Sequence, residues 1–213
     1  MATFLILKNE YQLAINAATQ AIELYPYYGK AYFNKGRAHL ALEQEEDAWE
    51  CFKACCTRAD FDNVSQGYSL YGDLSLKLKK YDDAIFAFTK LYEVEKHPKV
   101  MFHLGNAHYF KQDYNRAIEC YDQAYRANPE NVSIVHNLCE AYLANKQPIQ
   151  ALKAINTLEQ SPKNYPTIPL KKATAHLQCG NKIEAARILN KFIQSNPSAE
   201  YVQEAQHMLQ MMR

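Results

Sequence analysis

Long apolar runs are missing from this sequence. No stretch of about 18 apolar residues offers a membrane span. Phe4-Leu-Ile-Leu7 is too short for the core of a secretory signal and has no basic region before it. Glycine and proline are scarce, six and eight in 213 residues and mostly at expected turns, which leaves little for flexible linkers. Charge of one sign is not in excess either. A net charge of +1 gives no global attraction to nucleic acid or to an anionic membrane. There is no glycine-rich phosphate loop, no nucleophile elbow and no paired metal-ligand motif, so neither an enzyme nor a bound cofactor is expected. Six cysteines without a secretory signal point to a reducing compartment and free thiols, hence to the cytoplasm.

What the sequence does have is helical periodicity. Within Lys99–Glu130, Phe102, Leu104, Gly105, His108 and Tyr109 recur at helical spacing. A polar turn, Lys111-Gln112-Asp113, separates them from Ala117, Ile118, Tyr121, Ala124 and Tyr125, again three and four apart. Asn128-Pro129 ends the second run, because proline has no N–H to donate and restricts the residue before it. The small residues Gly105, Ala117 and Ala124 stand where two helices of one hairpin approach closely.

This hairpin recurs along the chain. The alanine opening each second helix falls at Ala14, Ala48, Ala84, Ala117, Ala151 and Ala185, at intervals of 34, 36, 33, 34 and 34. Gly36, Gly72, Gly105, Cys139 and Ala173 keep the same time in the first helices. Four residues after the marker alanine stand Phe52, Phe88, Tyr121, Ile155 and Leu189, with Ala18 in the first copy. Prolines follow by twelve at Pro26, Pro129 and Pro197, and near that spacing at Pro98 and Pro162. A long chain with this beat needs no single core, since each repeat buries its face on its neighbours.

The order Leu-Gly, Tyr/His, Ala, aromatic, Ala, Pro resembles the tetratricopeptide repeat (TPR), and the resemblance runs through essentially the whole chain. It implies an all-α, right-handed solenoid of about six stacked helix-turn-helix hairpins. The expected layout is a partial first repeat over 1–28, repeats over 29–62, 65–97, 98–131, 132–165 and 166–199, and a terminal helix over 200–213. The partial first repeat means either a clipped natural repeat or a fragment of a longer protein. Local signals refine the layout. Asn131 is placed to cap the fifth repeat's first helix, and Pro148 sits where a missing N–H costs nothing. Asp60 takes the place of the usual proline, and Asp62-Asn63 lengthens that loop. Three prolines in Ser161–Pro169 predict an irregular connection and a first helix shortened to about 170–178. Ser198 is expected to cap a last helix whose stripe Tyr201, Ala205, Met208, Leu209 and Met212 makes it a solubilising end.

The family also implies a site. Its first helices line a concave groove at repeat positions two, five, nine, twelve and thirteen. Carried onto this sequence, the groove takes Lys30, Phe33, Arg37, Leu40 and Ala41 from the second repeat. The third gives Gln66, Ser69, Asp73, Leu76 and Lys77, and the fourth gives Lys99, Phe102, Asn106, Tyr109 and Phe110. Ser133, His136, Glu140, Leu143 and Ala144 follow from the fifth, with Asn137 at its position six. Such a surface suits an extended or helical segment of another protein, with Phe102, Tyr109 and Phe110 as its apolar feature. The chaperone-tail clamp known in the family does not fit. Asn106, Asn137 and Lys171 are present, but Phe102 and Thr167 stand where lysines belong, which removes most of the attraction for paired carboxylates. Cys51, Cys55 and Cys56 read as packing thiols, and His39, His108 and His176 share a repeat position too widely spaced to hold one metal. An acidic turn, Glu43–Glu50, and a basic sixth repeat leave self-association through the ends as a weaker possibility, and permanent packing into a larger assembly as the alternative function.

Overall fold

The computed structural model describes residues 1–58, 61–161, 165–195 and 198–212. Asp60 and the markers Pro162 and Pro197 lie outside these described residues. Among them the chain is all-α, a succession of thirteen helices. The first seven are α1 (Ala2–Leu7), α2 (Tyr11–Leu24), α3 (Gly29–Ala41), α4 (Glu45–Cys56), α5 (Val64–Lys77), α6 (Tyr81–Glu95) and α7 (Pro98–Phe110). They belong to a compact unit, Met1–Lys111. The other six are α8 (Tyr114–Ala127), α9 (Val132–Ala144), α10 (Pro148–Glu159), α11 (Ile168–Gln178), α12 (Lys182–Gln194) and α13 (Ala199–Met211), in a second unit, Gln112–Arg213.

Within each unit consecutive helices pack on one another, and first helices of neighbouring hairpins also touch, α1 on α3 and α9 on α11. The marker residues explain the closeness. Ala14, Ala48, Ala84, Ala117, Ala151 and Ala185 are all completely buried. A Cβ on Gly36 would come within 3.0 Å of the Phe52 ring, and one on Gly72 within 2.7 Å of the Phe88 ring. The ring four residues past the marker alanine therefore sits directly against the glycine of the preceding helix. In the first unit Phe33, Trp49, Phe52, Cys55, Phe61, Tyr71 and Leu74 form one core. A buried polar link beside it is satisfied: Trp49 Nε1 donates to Ser75 Oγ at 2.8 Å, and Ser75 Oγ donates to the Tyr71 carbonyl at 2.6 Å. In the second unit one core gathers around Cys139, Ile155 and Leu158 and another around Leu189, Phe192 and Ala205.

The turns obey a rule that the residue types conceal. Asn9, Glu43, Lys79, Gln112, Lys146 and Gly180 have φ between 54° and 77°, each five residues before a marker alanine. The next N–H bonds back to a carbonyl five residues earlier: Glu10 to Leu5, Gln44 to His39, Lys80 to Ser75, Gln147 to Tyr142 and Asn181 to His176, at 2.7–3.0 Å. This is the Schellman ending of a helix, which glycine favours and which here only Gly180 meets with glycine.

Two local expectations change. Helix α11 begins at Ile168 rather than Leu170, because Pro169 falls in its first turn, where no N–H is needed. Ser198 stands at the start of α13 without a side-chain cap bond. That helix is held instead by Tyr201, Ala205, Met208, Leu209 and Met212 against the Leu189–Phe192 core. Asn131 does cap α9, accepting from Ser133 N at 3.1 Å, and Pro148 opens α10.

Candidate functional site: the first-helix faces

The residues named above on first helices fall into three groups. In the first unit, Lys30, Phe33 and Arg37 of α3 meet Thr3 of α1, Gln66 of α5 and the 61–63 loop around a cavity of about 220 Å³. Phe33 contributes only to its floor. The side chain is 5% exposed, with ring centroids 5.1 Å from Phe61 and 5.7 Å from Phe52. The Arg37 guanidinium lies 6.0 Å from the Phe33 ring centroid. Buried Asn34, at position six of the repeat, donates through Nδ2 to Thr3 Oγ1 at 3.1 Å, tying α1 to α3.

The second group joins α5 to α7. Asp73 of α5 faces His103 and Lys99 of α7. Asp73 is exposed to water yet crowded by protein, and the crowding holds its carboxyl above the usual range while His103 and Lys99 pull it back. Burial pushes the His103 imidazole below its ordinary value, opposed by Asp73 and assisted by Lys99. The His103 ring stacks on Phe88 at 5.4 Å and meets the edge of Phe102 at 5.9 Å. Phe102, Asn106 and Tyr109 are half-buried along α7. Phe110, 53% exposed, stacks on Tyr81 at 6.0 Å and meets Tyr109 edge-on at 5.8 Å.

The third group lies in the second unit. His136 of α9 stacks on Tyr165 at 5.1 Å, with Nε2 3.9 Å from Glu140 Oε1 and Nδ1 3.5 Å from Asn137 Oδ1. Glu140 also accepts from Lys171 Nζ of α11 at 2.6 Å. Lys171 is therefore already engaged by a carboxylate of its own chain.

Thr3, Phe61 and Tyr165 complete these groups and were not foreseen. Phe61 carried a signal, an aromatic inside the polar run Asp60-Phe61-Asp62-Asn63. Thr3 and Tyr165 carried none. The cysteines keep their packing character. Burial pushes the Cys51 and Cys120 thiols up to about 11 and that of Cys139 up to about 12. Among the described residues no helix is long and apolar enough to cross a membrane, and no three His, Cys, Asp or Glu side chains converge as a metal site would require.

Tetratricopeptide repeat family models match residues 8–63, 65–97 and 98–131. The chain is 28% identical over 125 residues to anaphase-promoting complex subunit 3 of Schizosaccharomyces pombe. That match takes in 58% of this chain but spans only 18% of the length of the curated relative. Among solved structures, the fold is similar to YrrB, described as a TPR protein with an unusual peptide-binding site. The TM-score is 0.69 at 16% identity, over 90% of this chain and 98% of that one. It is also similar to a chain of the APC/C hetero-tetramer Cut9–Hcn1, with a TM-score of 0.60 at 16% identity, over 99% of this chain and 41% of that one. With the marker alanines buried at a 34-residue beat, the rings seated on Gly36 and Gly72, and three consecutive family matches, the chain belongs to the tetratricopeptide repeat family.

Proposed function

We propose that the chain is a non-enzymatic protein-interaction module, an adaptor or scaffold of the cytoplasm, that holds an extended or helical segment of another protein along its first helices. The observation that carries this reading is the face of α7. Phe102 offers an apolar ring beside His103, Asn106 offers an amide one turn on, and Lys99 and Asp73 supply opposite charges at the edge. A purely solvated face would be polar throughout. Tyr109 and Phe110 continue that face along α7 and Arg37 lies on α3 of the same unit, while His136, Asn137 and Glu140 give α9 of the second unit a mixed face of its own. The likeness to a protein described by its peptide-binding site fits this reading, and six free thiols suit a reducing compartment.

The test is peptide selection against the immobilised protein, followed by calorimetry on the recovered sequences. Burying the Phe102 ring is worth about 1.5–3 kcal/mol. Phe102→Ala should weaken binding roughly 10- to 100-fold, at 1.4 kcal/mol per decade, while the helical content stays. Lys99→Glu should act mainly on association rate and salt dependence. Unchanged affinity in a folded Phe102→Ala protein would remove the site from α7.

A second reading has its own observation. Phe4 (55% exposed) and Leu7 (76%) of α1 and Leu13 (54%) of α2 are large apolar side chains left open to water. That is what a subunit packed permanently into a larger assembly would present, and the similar proteins include subunits of one. Light scattering on the eluting protein separates the two. A concentration-independent monomer supports the adaptor, and association abolished by Leu7→Ser supports the subunit.

A further inference from the structure

Every first helix ends seven residues before its marker alanine: α1 at Leu7, α3 at Ala41, α5 at Lys77, α7 at Phe110, α9 at Ala144 and α11 at Gln178. Counted back from that shared end, α9 has thirteen residues and α1 has six, a difference of seven. The shortfall lies wholly at the start of α1, so the last half of α2 lacks the cover that later hairpins have. In the fifth hairpin, Val135 in the first half of α9 packs with Ile155 and Leu158 of α10. In the sixth, Leu170 of α11 packs with Leu189 and Phe192 of α12. Seven residues past the marker, Cys55, Leu91, Ala124, Leu158 and Phe192 are accordingly buried, whereas Ala21 is only half-buried. The residues that follow differ in kind as well. The fourth hairpin ends in the run Ala127-Asn128-Pro129-Glu130-Asn131, and the first carries Leu24-Tyr25-Pro26-Tyr27-Tyr28 at the same places. Those five line a hollow of about 530 Å³, with Leu24 74%, Tyr25 68% and Tyr27 78% exposed. The turn is held from the α3 side. Tyr32 Oη donates to the Pro26 carbonyl at 3.1 Å, and the Arg58 guanidinium lies 4.9 Å from the Tyr32 ring centroid and 5.9 Å from that of Tyr27.

We infer that the open end of the first hairpin receives a helical segment of a partner protein, lying along α2 where later hairpins have the first half of a first helix. The interface between α1 and α2 already exists, and the segment continues it in the same direction. Seven residues at 1.5 Å each make about 10 Å, two turns of helix. The fifth hairpin shows the side chains that suit such a place: Ile134, Val135 and Leu138, all buried, form a stripe at i, i+1 and i+4. A partner helix with that stripe seats in the hollow as amphipathic helices seat in apolar grooves. Exposed tyrosines on a turn already fixed by Tyr32 and Arg58 suit the role, because little ordering remains to oppose association. A second copy of the chain is a poorer occupant. Among the described residues, no helix but α1 exposes two large apolar side chains one turn apart, and α1 is itself packed on α2 and α3. This contact lies apart from the α7 face, and neither reading depends on the other.

The probe is a helix-constrained peptide with the sequence of residues 132–138, and its control carries serine at the places of Ile134, Val135 and Leu138. Each is titrated into the isotope-labelled full chain and followed by NMR. Saturable shifts at the amides of Ala21, Leu24 and Tyr27 are expected from the peptide and not from the control. Leu24→Ser and Tyr27→Ser, both at exposed positions, should each weaken binding about tenfold or more through lost apolar burial. A chain extended by the same seven residues directly ahead of Ala2 should bind no peptide. It should also unfold at a higher urea midpoint than a chain extended by the control sequence. No saturable shift, equal shifts from the control, an unchanged response in both variants, or an extended chain that still binds overturns the inference. Binding that moves α7 amides and leaves those of α2 in place would overturn it in favour of the first-helix face. A dimer that Leu24→Ser dissolves would give the surface to a second copy and overturn it as well.

Discussion

Lys146→Gly should stabilise the second unit, and Gly180→Ala should destabilise it. Both residues occupy the left-handed position of a hairpin turn, at φ 54° and 77°. Holding an L-residue with a Cβ there costs roughly 1–2 kcal/mol. Glycine avoids that cost but loses about 0.5–1 kcal/mol in extra unfolded-state entropy. The net gain for Lys146→Gly is therefore about 0.5–1 kcal/mol. Its side chain is exposed and makes no ion pair that the substitution would remove. The reverse change at Gly180 is the cleaner half of the test. A Cβ added there meets nothing within 4 Å, so the backbone alone opposes it. The balance of the same terms predicts a loss of about 0.5–1 kcal/mol. The assay is urea denaturation followed by far-ultraviolet circular dichroism, with the two variants and their double mutant compared in one buffer. Opposite shifts of the midpoint at unchanged slope are expected. A midpoint raised by Gly180→Ala, or lowered by Lys146→Gly, would refute the argument that turn strain is distributed along these repeats.

Three further outcomes follow from the packing and the titrations. Ala151→Leu should overpack the completely buried helix approach beside Cys139 and Ile155 and cost about 1–3 kcal/mol, whereas Ile149→Leu at an exposed position should leave the denaturation midpoint in place. Alkylation at neutral pH, followed by mass spectrometry, should label exposed Cys179 first and spare Cys51, Cys120 and Cys139, whose buried thiols are pushed up to about 11 or 12. Early labelling of Cys139 would contradict the packing. Because burial lowers the His103 pKa, the unfolded chain takes up that proton more readily, so stability should fall as pH drops below the ordinary value of 6.5. His103→Gln should flatten that part of the profile. Asp73, raised by crowding, acts at lower pH with the opposite sign.

The fold was legible because the repeat writes its packing into residue size. Ala48 and Ala84 are completely buried, and the rings four residues on, Phe52 and Phe88, meet Gly36 and Gly72, so the same small and large residues return at each repeat. The turns were less legible. Their left-handed position carries Asn, Glu, Lys, Gln, Lys and Gly, so side-chain identity concealed a backbone feature that the marker interval alone would have located. Helix α11 shows the same limit, since a proline reads as a breaker until its place in the first turn is known. At the candidate site, position within the repeat brought out Lys30, Arg37, Asp73, Lys99 and Phe102. It did not show that Phe61 folds beneath Phe33, that Glu140 holds Lys171, or that Tyr165 covers His136. Those contacts come from loops and from adjacent repeats, where no periodic signal reaches.

The central claim is that a partner segment lies on first helices, and photo-cross-linking tests it most directly. A photoreactive residue placed at Asn106 of α7, and separately at exposed Val94 of α6, is irradiated with a labelled peptide recovered by selection. The account predicts an adduct from position 106 that unlabelled peptide competes away, and none from position 94. An adduct from position 94 alone would place the partner on second helices and contradict the claim.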